Sequence, residues 1–584
     1  MIFYDFEVFK EDWLAVFIDT STRASVTICN APDELASYYE KHEKDIFVGY
    51  NNLHYDQYIF KAILLGMDPK KVNDKIILEG LDGWQISGAF KDIPMLNYDV
   101  MSIMDGGLKS LEGMMGNDVE ETDVDFNINR KLTPDELRLT EKYCIHDVEQ
   151  TIEVFAQRIN DFNATLGLIK TFKLPLSCIG MSHAQLSARI LGCYRVKRDD
   201  EFDYMDAVPK TINLGKYQRV KDWFTSLSEE LKTCEDLEEF EKLEKTFYSK
   251  KLKINIMNVP HVFGWGGLHG AIEGPVHRTG LILHVDVTSY YPSLMIQHGL
   301  LTRNSSTPEK YKEIFDTRVA LKKAGKKKEQ APYKIVLNGT SGICKDKGSQ
   351  AYDPRNANAI CVAGQLMLLD LLDKLEGHCE LIQSNTDGII LQIPDTDEAF
   401  EKIDDICHEW EVRNRMKLEF DIIKEIYQGD VNNYVFITED NKIERKGAYV
   451  KELNDLTMDL AIVNEAIVKR LTEKIPVEKT IYECNDLWKF QKIFKLSRKY
   501  SEAWHNGRFK TQRCYRVFAS RDNRDTYLGK RKGYGKTIEK FANSPEHCFV
   551  VNEEVKGKEC PAKLDKAWYI ALAKKRLNEK FGVI

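Results

Sequence analysis

No apolar run in this chain approaches the roughly 18 residues that cross a bilayer, which argues against a helical membrane protein. The start, Met-Ile-Phe-Tyr-Asp-Phe-Glu, lacks the basic segment and long apolar stretch of a secretory signal. Thirteen cysteines occur without a Cys-x-x-Cys pair or a regular metal spacing, so neither a zinc nor an iron–sulfur site is expected. The thiols read as reduced and mostly buried, and together these absences predict a cytoplasmic protein. No internal repeat is visible, and the lysine cluster from Lys322 to Lys328 is too short for a low-complexity segment.

What is present is an enzyme-like composition, with 43% apolar and 30% charged residues. At 584 residues the chain exceeds one hydrophobic core. Ordinary domain sizes predict roughly three to five domains. The net charge of −8 does not itself point to nucleic acid, yet it conceals an asymmetry. From Lys489 to Lys536 fifteen Lys and Arg face three acids. Phe490, Phe494, Tyr500, Trp504, Phe509, Tyr515, Phe518, Tyr527 and Tyr534 lie among them. Such interleaving suits phosphates and stacked bases, and a solvated helix face over core aromatics would read the same way.

Up to about residue 165, strands (Ile2 to Phe6, Trp13 to Ile18, Ile46 to Tyr50) alternate with helical segments in an α/β pattern. Residues 165 to 257 read as mostly helical, with a charged run of coiled or hairpin character from Ser228 to Lys253. Strands resume near His261. Helices return from Asp459 to Lys474 and from Lys563 to Lys580.

Two apolar runs end in an acid: Asp286 in Leu-Ile-Leu-His-Val-Asp-Val-Thr-Ser-Tyr-Tyr-Pro-Ser and Asp387 in Leu-Ile-Gln-Ser-Asn-Thr-Asp-Gly-Ile-Ile-Leu. A strand such as Leu281 to Val287 is expected to be buried on both faces, where a carboxylate is costly unless paired or bound to metal. Ser384 to Gly388 has hairpin-turn chemistry, and an Asp-Gly turn by itself needs no metal. If the two strands pair, the acids can grip divalent cations that hold a nucleoside triphosphate. Arg318 and Lys322 sit four apart on one helix face, and Lys334 falls on a facing helix if the Lys-rich stretch turns. Three cations would then converge on phosphate, with Arg suited to bidentate contact. Near the start, Asp5 and Glu7 project from one face of a strand, where their charges repel unless a cation lies between them. An exposed edge strand would tolerate the same pair.

Asp286-x-x-Ser289-x-Tyr291-Pro292-Ser293 resembles the first palm motif of the family B DNA polymerases, Asp-x-x-Ser-Leu-Tyr-Pro-Ser, at five of six specified positions, with Tyr290 for Leu. Asn385-Thr386-Asp387-Gly388 resembles the family's Asp-Thr-Asp-Ser, keeping the second acid. Lys334-Ile-Val-Leu-Asn338-Gly-Thr-Ser-Gly342 is similar to the fingers motif Lys-x-x-x-Asn-Ser-x-Tyr-Gly, with Ser341 where the family has Tyr. Phe263-Gly-Trp-Gly266-Gly267 resembles the Tyr-x-Gly-Gly loop that touches template, with Gly264 for Tyr. Asn432-Asn433-Tyr434 and Lys446-Gly447 match in spacing the Lys-x-Tyr and Lys-Gly that hold primer, Asn432 replacing Lys. Asp5-Phe-Glu7, Asn52-Leu-His-Tyr55-Asp56 and Tyr143-Cys-Ile-His-Asp147 resemble the family's three proofreading motifs, in the same order.

The resemblance implies an α/β multidomain fold, a ribonuclease H-like exonuclease domain followed by a right-hand polymerase of palm, fingers and thumb. Its expected boundaries are 1–165 exonuclease, 166–258 helical connector, 259–310 palm, 311–357 fingers, 358–430 palm and 431–584 thumb with a C-terminal DNA-binding region. It implies catalytic roles for Asp286, Asp387, Asp5, Glu7, Asp56, Tyr143 and Asp147. Two Mg2+ or Mn2+ ions are implied at each site, held by Asp286, the Val287 carbonyl and Asp387, and by Asp5, Glu7, Asp56 and Asp147. Tyr291, Arg318, Lys322, Lys334 and Asn338 would bind nucleotide, Tyr291 rejecting a 2′-hydroxyl. Asn52, Tyr55, Gly266, Gly267, Tyr434 and Lys446 would contact DNA, and Lys109 is matched to a supporting lysine. The implied activity is template-directed DNA synthesis with 3′–5′ proofreading, on primer-template DNA and deoxynucleoside triphosphates. A monomer is expected, working with replication-fork proteins and no membrane, as in compact replicases of bacterial viruses and mobile elements, hence in host cytoplasm. The short spacing between palm motifs argues for a nucleic-acid primer over a protein primer. A DNA-binding replication protein that has lost its metals is the alternative that Asn385 and Ser341 keep open.

Overall fold

The computed structural model describes residues 1–533 and 535–583, so Tyr534 of the basic segment lies outside the described residues. The protein is an α/β multidomain chain with mixed sheets and, among the described residues, 18 α-helices. It divides into two compact units. Met1–Gly180, Leu453–Val463 and Glu478–Leu572 form one; Met181–Glu452, Asn464–Val477 and Ala573–Ile584 form the other. No helix among the described residues is long and apolar enough to cross a membrane.

The first unit is built on a five-stranded sheet in the order Ala24–Cys29, Trp13–Asp19, Ile2–Val8, Ile46–Gly49, Leu96–Asp99. The first three strands pair antiparallel and the last three parallel. Alternation along Ile2–Val8 sorts its side chains. Tyr4 and Phe6 pack with Phe17, Phe47 and Phe60 on one face. Phe3, with Asp5 and Glu7, takes the other, where its ring meets Phe155 edge-on at 5.2 Å. Phe155 belongs to the helix Pro134–Gln157, which starts with Pro at its first turn and a Thr133/Glu136 capping box. The same helix carries Asp147, two turns before Phe155, so the aromatic contact sets the acids against one another.

The C-terminal part of this unit carries two further sheets, a three-stranded one (Lys492–Lys495, Cys514–Ala519, Cys548–Val550) and a four-stranded one (Arg508–Lys510, Glu502–His505, Gly529–Arg531, Ile538–Lys540). Its anchor is Arg516, fully buried, which donates to the carbonyls of Glu553 (2.6 Å), Gly113 (3.1 Å) and Asn117 (2.5 Å). Residues 478–572, expected within a block starting at 431, thus cluster with the N-terminal sheet.

The second unit holds a nine-stranded antiparallel sheet in the order Ile443–Lys446, Asn433–Thr438, Leu418–Asp430, Val276–Val287, Gly388–Gln392, Glu380–Thr386, Leu268–Ala271, Val259–Phe263, Leu252–Ile256. The sheet continues past the expected boundary at 430, because Leu418–Asp430 pairs directly with Asn433–Thr438. The apolar helix Pro354–Leu375 is buried nearly all round, as its sequence requires. Pro308–Lys323 and Lys327–Ile343 form a helical hairpin turned at Gly325, whose φ of +70° suits glycine.

Two expectations need correction. Strands resume at Leu252, not near His261: Leu252–Ile256 and Val259–Phe263 form a hairpin whose two turn residues, Met257 and Asn258, both have positive φ. The charged run from Ser228 hides this, since Leu-Lys-Ile-Asn-Ile alternates only after the helices Gln218–Lys232 and Leu237–Phe247 end. The helices expected over Asp459 to Lys474 and Lys563 to Lys580 run Ala461–Thr472 and Lys566–Phe581.

Candidate active sites

In the first unit Asp5 and Glu7 come from the central strand, Asp56 from the first turn of Asp56–Leu64, and Tyr143 and Asp147 from Pro134–Gln157. Asp56 Oδ1 accepts the Phe6 amide at 3.1 Å, which ties that helix start to the strand between the two acids. Burial, then the charge of Asp147, holds the Asp5 carboxyl up at about 7. Burial raises Asp147 to about 6 against the pull of Lys109. Burial also raises Glu7, reinforced by Asp5, Asp147 and Asp56, and raises Asp56, reinforced by Asp5. Asp5 thus feels Asp147, and Glu7 feels Asp5, Asp147 and Asp56, a set of neighbouring carboxylates short of positive charge.

The cation present is Lys109, on the helix Leu108–Met115. Its ammonium donates to Asp147 Oδ1 and, at 2.9 Å, to Glu112 Oε1, and it lies 4.6 Å from the Tyr143 ring centroid. Asp147 and Glu112 raise Lys109 despite burial. Glu112 was not foreseen. Its carboxylate is fully buried, with Oε2 3.5 Å from His146 Nε2. A Lys-x-x-Glu pair on an apolar helix was the available signal. Cys144 Sγ also points at Asp5 Oδ2, 3.5 Å away. Oxygen ligand atoms of this kind suit hard divalent cations. Asp5, Glu7 and Cys144 form one group close enough to hold a metal ion, and Glu112, His146 and Asp147 another.

Of the residues expected at a DNA end, Tyr55 is partly buried, its hydroxyl donating to Asn73 Oδ1 at 2.8 Å. Asn52 has 0% exposure: its amide donates to Asn97 Oδ1 (2.7 Å) and the Tyr98 carbonyl (3.2 Å), so it faces the protein interior.

In the second unit Asp286 and Asp387 meet. Val276–Val287 pairs antiparallel with Gly388–Gln392 so that Asp286 lies opposite Gly388, and the Val287 amide donates to the Asp387 carbonyl at 2.8 Å. Asp387 stands in the two-residue turn of the hairpin Glu380–Thr386/Gly388–Gln392, with Thr386 at φ +62°. A Cβ on Gly388 would lie 1.9 Å from Asp286 Oδ1, so glycine at this position makes room for the other acid. Burial, then Asp286, raises Asp387, while His284 and Lys446 oppose the shift. Asn385 donates to the Val431 carbonyl at 3.3 Å. An aspartate there would set its charge against that carbonyl, which accounts for the amide.

Neighbouring residues gather round the pair. Ser289, in the left-handed conformation at φ +49°, turns the strand into the helix Tyr290–Gln297 and accepts Arg318 Nη1 at 2.7 Å. Arg318 Nε is buried without a hydrogen-bond partner. Lys322 pairs at 3.1 Å with Glu419, which lies opposite Asp286 on the next strand. Lys334 and Asn338 are exposed one turn apart on the second helix of the hairpin. The buried Tyr290 donates to the Gly364 carbonyl at 2.5 Å and stacks on Tyr291. Gly267 packs on the turn: a Cβ there would meet Thr386 Oγ1 at 2.6 Å, whereas Gly266 faces open space.

His284 and Glu419 are the additions that sequence reading missed. His284 Nε2 is 3.2 Å from Asp286 Oδ1. Burial works against protonation of His284, but Asp286, Asp421 and Asp387 prevail and raise it. Its place two residues before Asp286 on a strand was a signal for a shared face. Along that face run Phe436 and Tyr434, stacked at 5.9 Å, and Lys446 is paired opposite Tyr434. A cleft of about 590 Å3 opens here, lined by His284, Asp286, Asp421, Tyr434, Phe436 and Arg445 among others. No protein-family model and no curated protein matches this chain.

Proposed function

We propose that the chain is a template-directed DNA polymerase with 3′–5′ proofreading, similar to family B, with a ribonuclease H-like exonuclease and a right-hand polymerase. The observation that carries this reading is the register that sets Asp286 beside the Asp387 turn, between Arg318 and the Tyr434 face. Residues 311–357 serve as fingers, and the sheet around Asp286 as palm.

The carboxylates of Asp286 and Asp387 with the Val287 carbonyl would hold Mg2+ or Mn2+, as Asp5, Glu7, Asp56 and Asp147 would in the exonuclease. Such ions, when bound, lower the pKa of an attacking hydroxyl or water and neutralise charge on the oxygens of a transferring phosphoryl group. The chain's own residues do the placing. Arg318, fixed by Ser289, faces the triphosphate, and Lys322, Lys334 and Asn338 neutralise and orient its outer phosphates. Tyr291, stacked on the anchored Tyr290, packs under the sugar and excludes a 2′-hydroxyl. Tyr434 and Lys446 grip the primer strand, Gly266 lets template backbone approach the Asp387 turn, and Gly267 seats the loop against that turn. In the exonuclease, Tyr143 orients the attacking water, Lys109 holds Asp147, and Tyr55 supports the primer end while Asn52 braces the loop behind it.

Primer extension with Mg2+ and all four deoxynucleotides tests the assignment. We expect labelled primer to lengthen to the template end with wild type and not with Asp387→Ala. Equal extension by both proteins would refute it.

A further inference from the structure

The four-stranded C-terminal sheet has two unlike faces. Ala503 is buried, and His505, facing the same way, is bonded through Nε2 to the Cys548 carbonyl at 2.9 Å. The opposite face carries a row of rings. Trp504 lies opposite Phe509 on one neighbour and Gly529 on the other. The Tyr527 ring occupies the space beside Gly529 and sits 5.3 Å from Trp504. The Arg531 guanidinium covers Phe509 at 3.8 Å and is paired with Glu502. Phe509 remains 42% exposed on the edge strand, at the end of this row of rings. Flanking it, Arg508 and Lys510 are exposed and, among the described residues, carry no ion pair.

We infer that this face binds unpaired nucleic acid, the strand end consumed by the acid cluster in the same unit. Exposed ring faces select the partner: bases in a duplex are already stacked, whereas those of a single strand are free to lie on Phe509 and Trp504. Arg508 and Lys510 meet its phosphates. The sheet is joined to the exonuclease. The strand Cys514–Ala519 follows Arg508–Lys510, and the amides of Arg513 and Cys514 donate to Glu121 at 2.9 Å. Arg516 holds the helix that carries Lys109. The substrate named here rests on the exonuclease reading, while the binding surface stands without it.

The test is fluorescence anisotropy of the full chain in EDTA, with a labelled oligothymidylate of about 16 nucleotides and a blunt duplex of equal length. We expect the single strand to bind more tightly than the duplex. Phe509→Ala should weaken single-strand binding about fivefold or more, leaving duplex binding unchanged. Arg508→Ala with Lys510→Ala, both on the exposed edge, should flatten the logarithmic salt dependence by about 1.4. Unchanged single-strand binding in both variants, or an equal loss on duplex, would overturn the inference. Absence of oligonucleotide binding by wild type would also overturn it and leave the face to a protein partner. Degradation of the single strand on adding Mg2+ is read separately. If the variants lose binding but wild type degrades nothing, the surface stands and the exonuclease reading falls. If wild type degrades and the variants bind normally, the surface alone falls.

Discussion

In the first unit Asp5 and Glu7 share a buried neighbourhood with Asp147, which a lysine ammonium holds, whereas in the second Asp286 and Asp387 stand at strand ends, Asp286 lining an open cleft. The difference teaches how each site is kept in shape. The buried cluster relies on fixed partners, Lys109 and Glu112, to hold carboxylates that repel one another. The open pair relies on backbone register: one strand ladder and a glycine set the two acids side by side. The first should therefore break through charge and the second through geometry.

The largest effect expected is from Asp286→Ala, which should lower synthesis by a factor of about a thousand or more while leaving degradation of a single strand intact. Gly388→Ala should come next. Its Cβ would push the Asp286 carboxylate aside, and a misplacement near 1 Å costs about a hundredfold in steady-state extension. Lys109→Met should lower exonuclease rate about 10- to 100-fold with little change in extension, as loss of an outer partner of a ligand does. An equal effect on both activities would show that Lys109 supports the fold and not the site.

The smallest effect expected is on stability. Asp5, at about 7, and Asp147, at about 6, lie above the ordinary carboxyl range. The folded chain then keeps protons that the unfolded chain has released, so metal-free stability should fall as pH rises from about 4 to about 7. Thermal melting in EDTA should show that decline, Mg2+ should offset it at neutral pH, and Asp5→Asn should flatten it. A melting temperature that rises over this window would contradict the charge imbalance inferred for the cluster.

Much of this contrast was legible in the chain. The strand at Ile2 and the acids at i and i+2 followed from alternation, and the apolar runs ending at Asp286 and Asp387 announced a central strand and a hairpin. Metal binding by both acids requires the two strands to pair, and they do, with Asp286 opposite Gly388. Less could be read where a function depends on contacts distant in sequence. Glu112 and His284 carry only weak local signals, and it is the folded helix and sheet that set them against Lys109 and Asp286. Asn52 matches a motif yet is buried, because the loop it belongs to folds back on Asn97. The basic aromatic segment is neither a solvated helix nor one uniform patch: Phe490, Tyr500, Tyr515 and Phe518 are core, and among the described residues Phe509 is the ring left exposed.

One measurement bears most directly on the pairing of a synthesis site with an editing site. A primer with a mispaired 3′ end is incubated with Mg2+ and deoxynucleotides, using wild type, Asp387→Ala and Asp5→Ala. We expect wild type to trim and then extend, Asp387→Ala to trim without extending, and Asp5→Ala to lose trimming while still extending a matched primer. Loss of both activities in either variant, or of neither, would contradict the assignment of two separate sites.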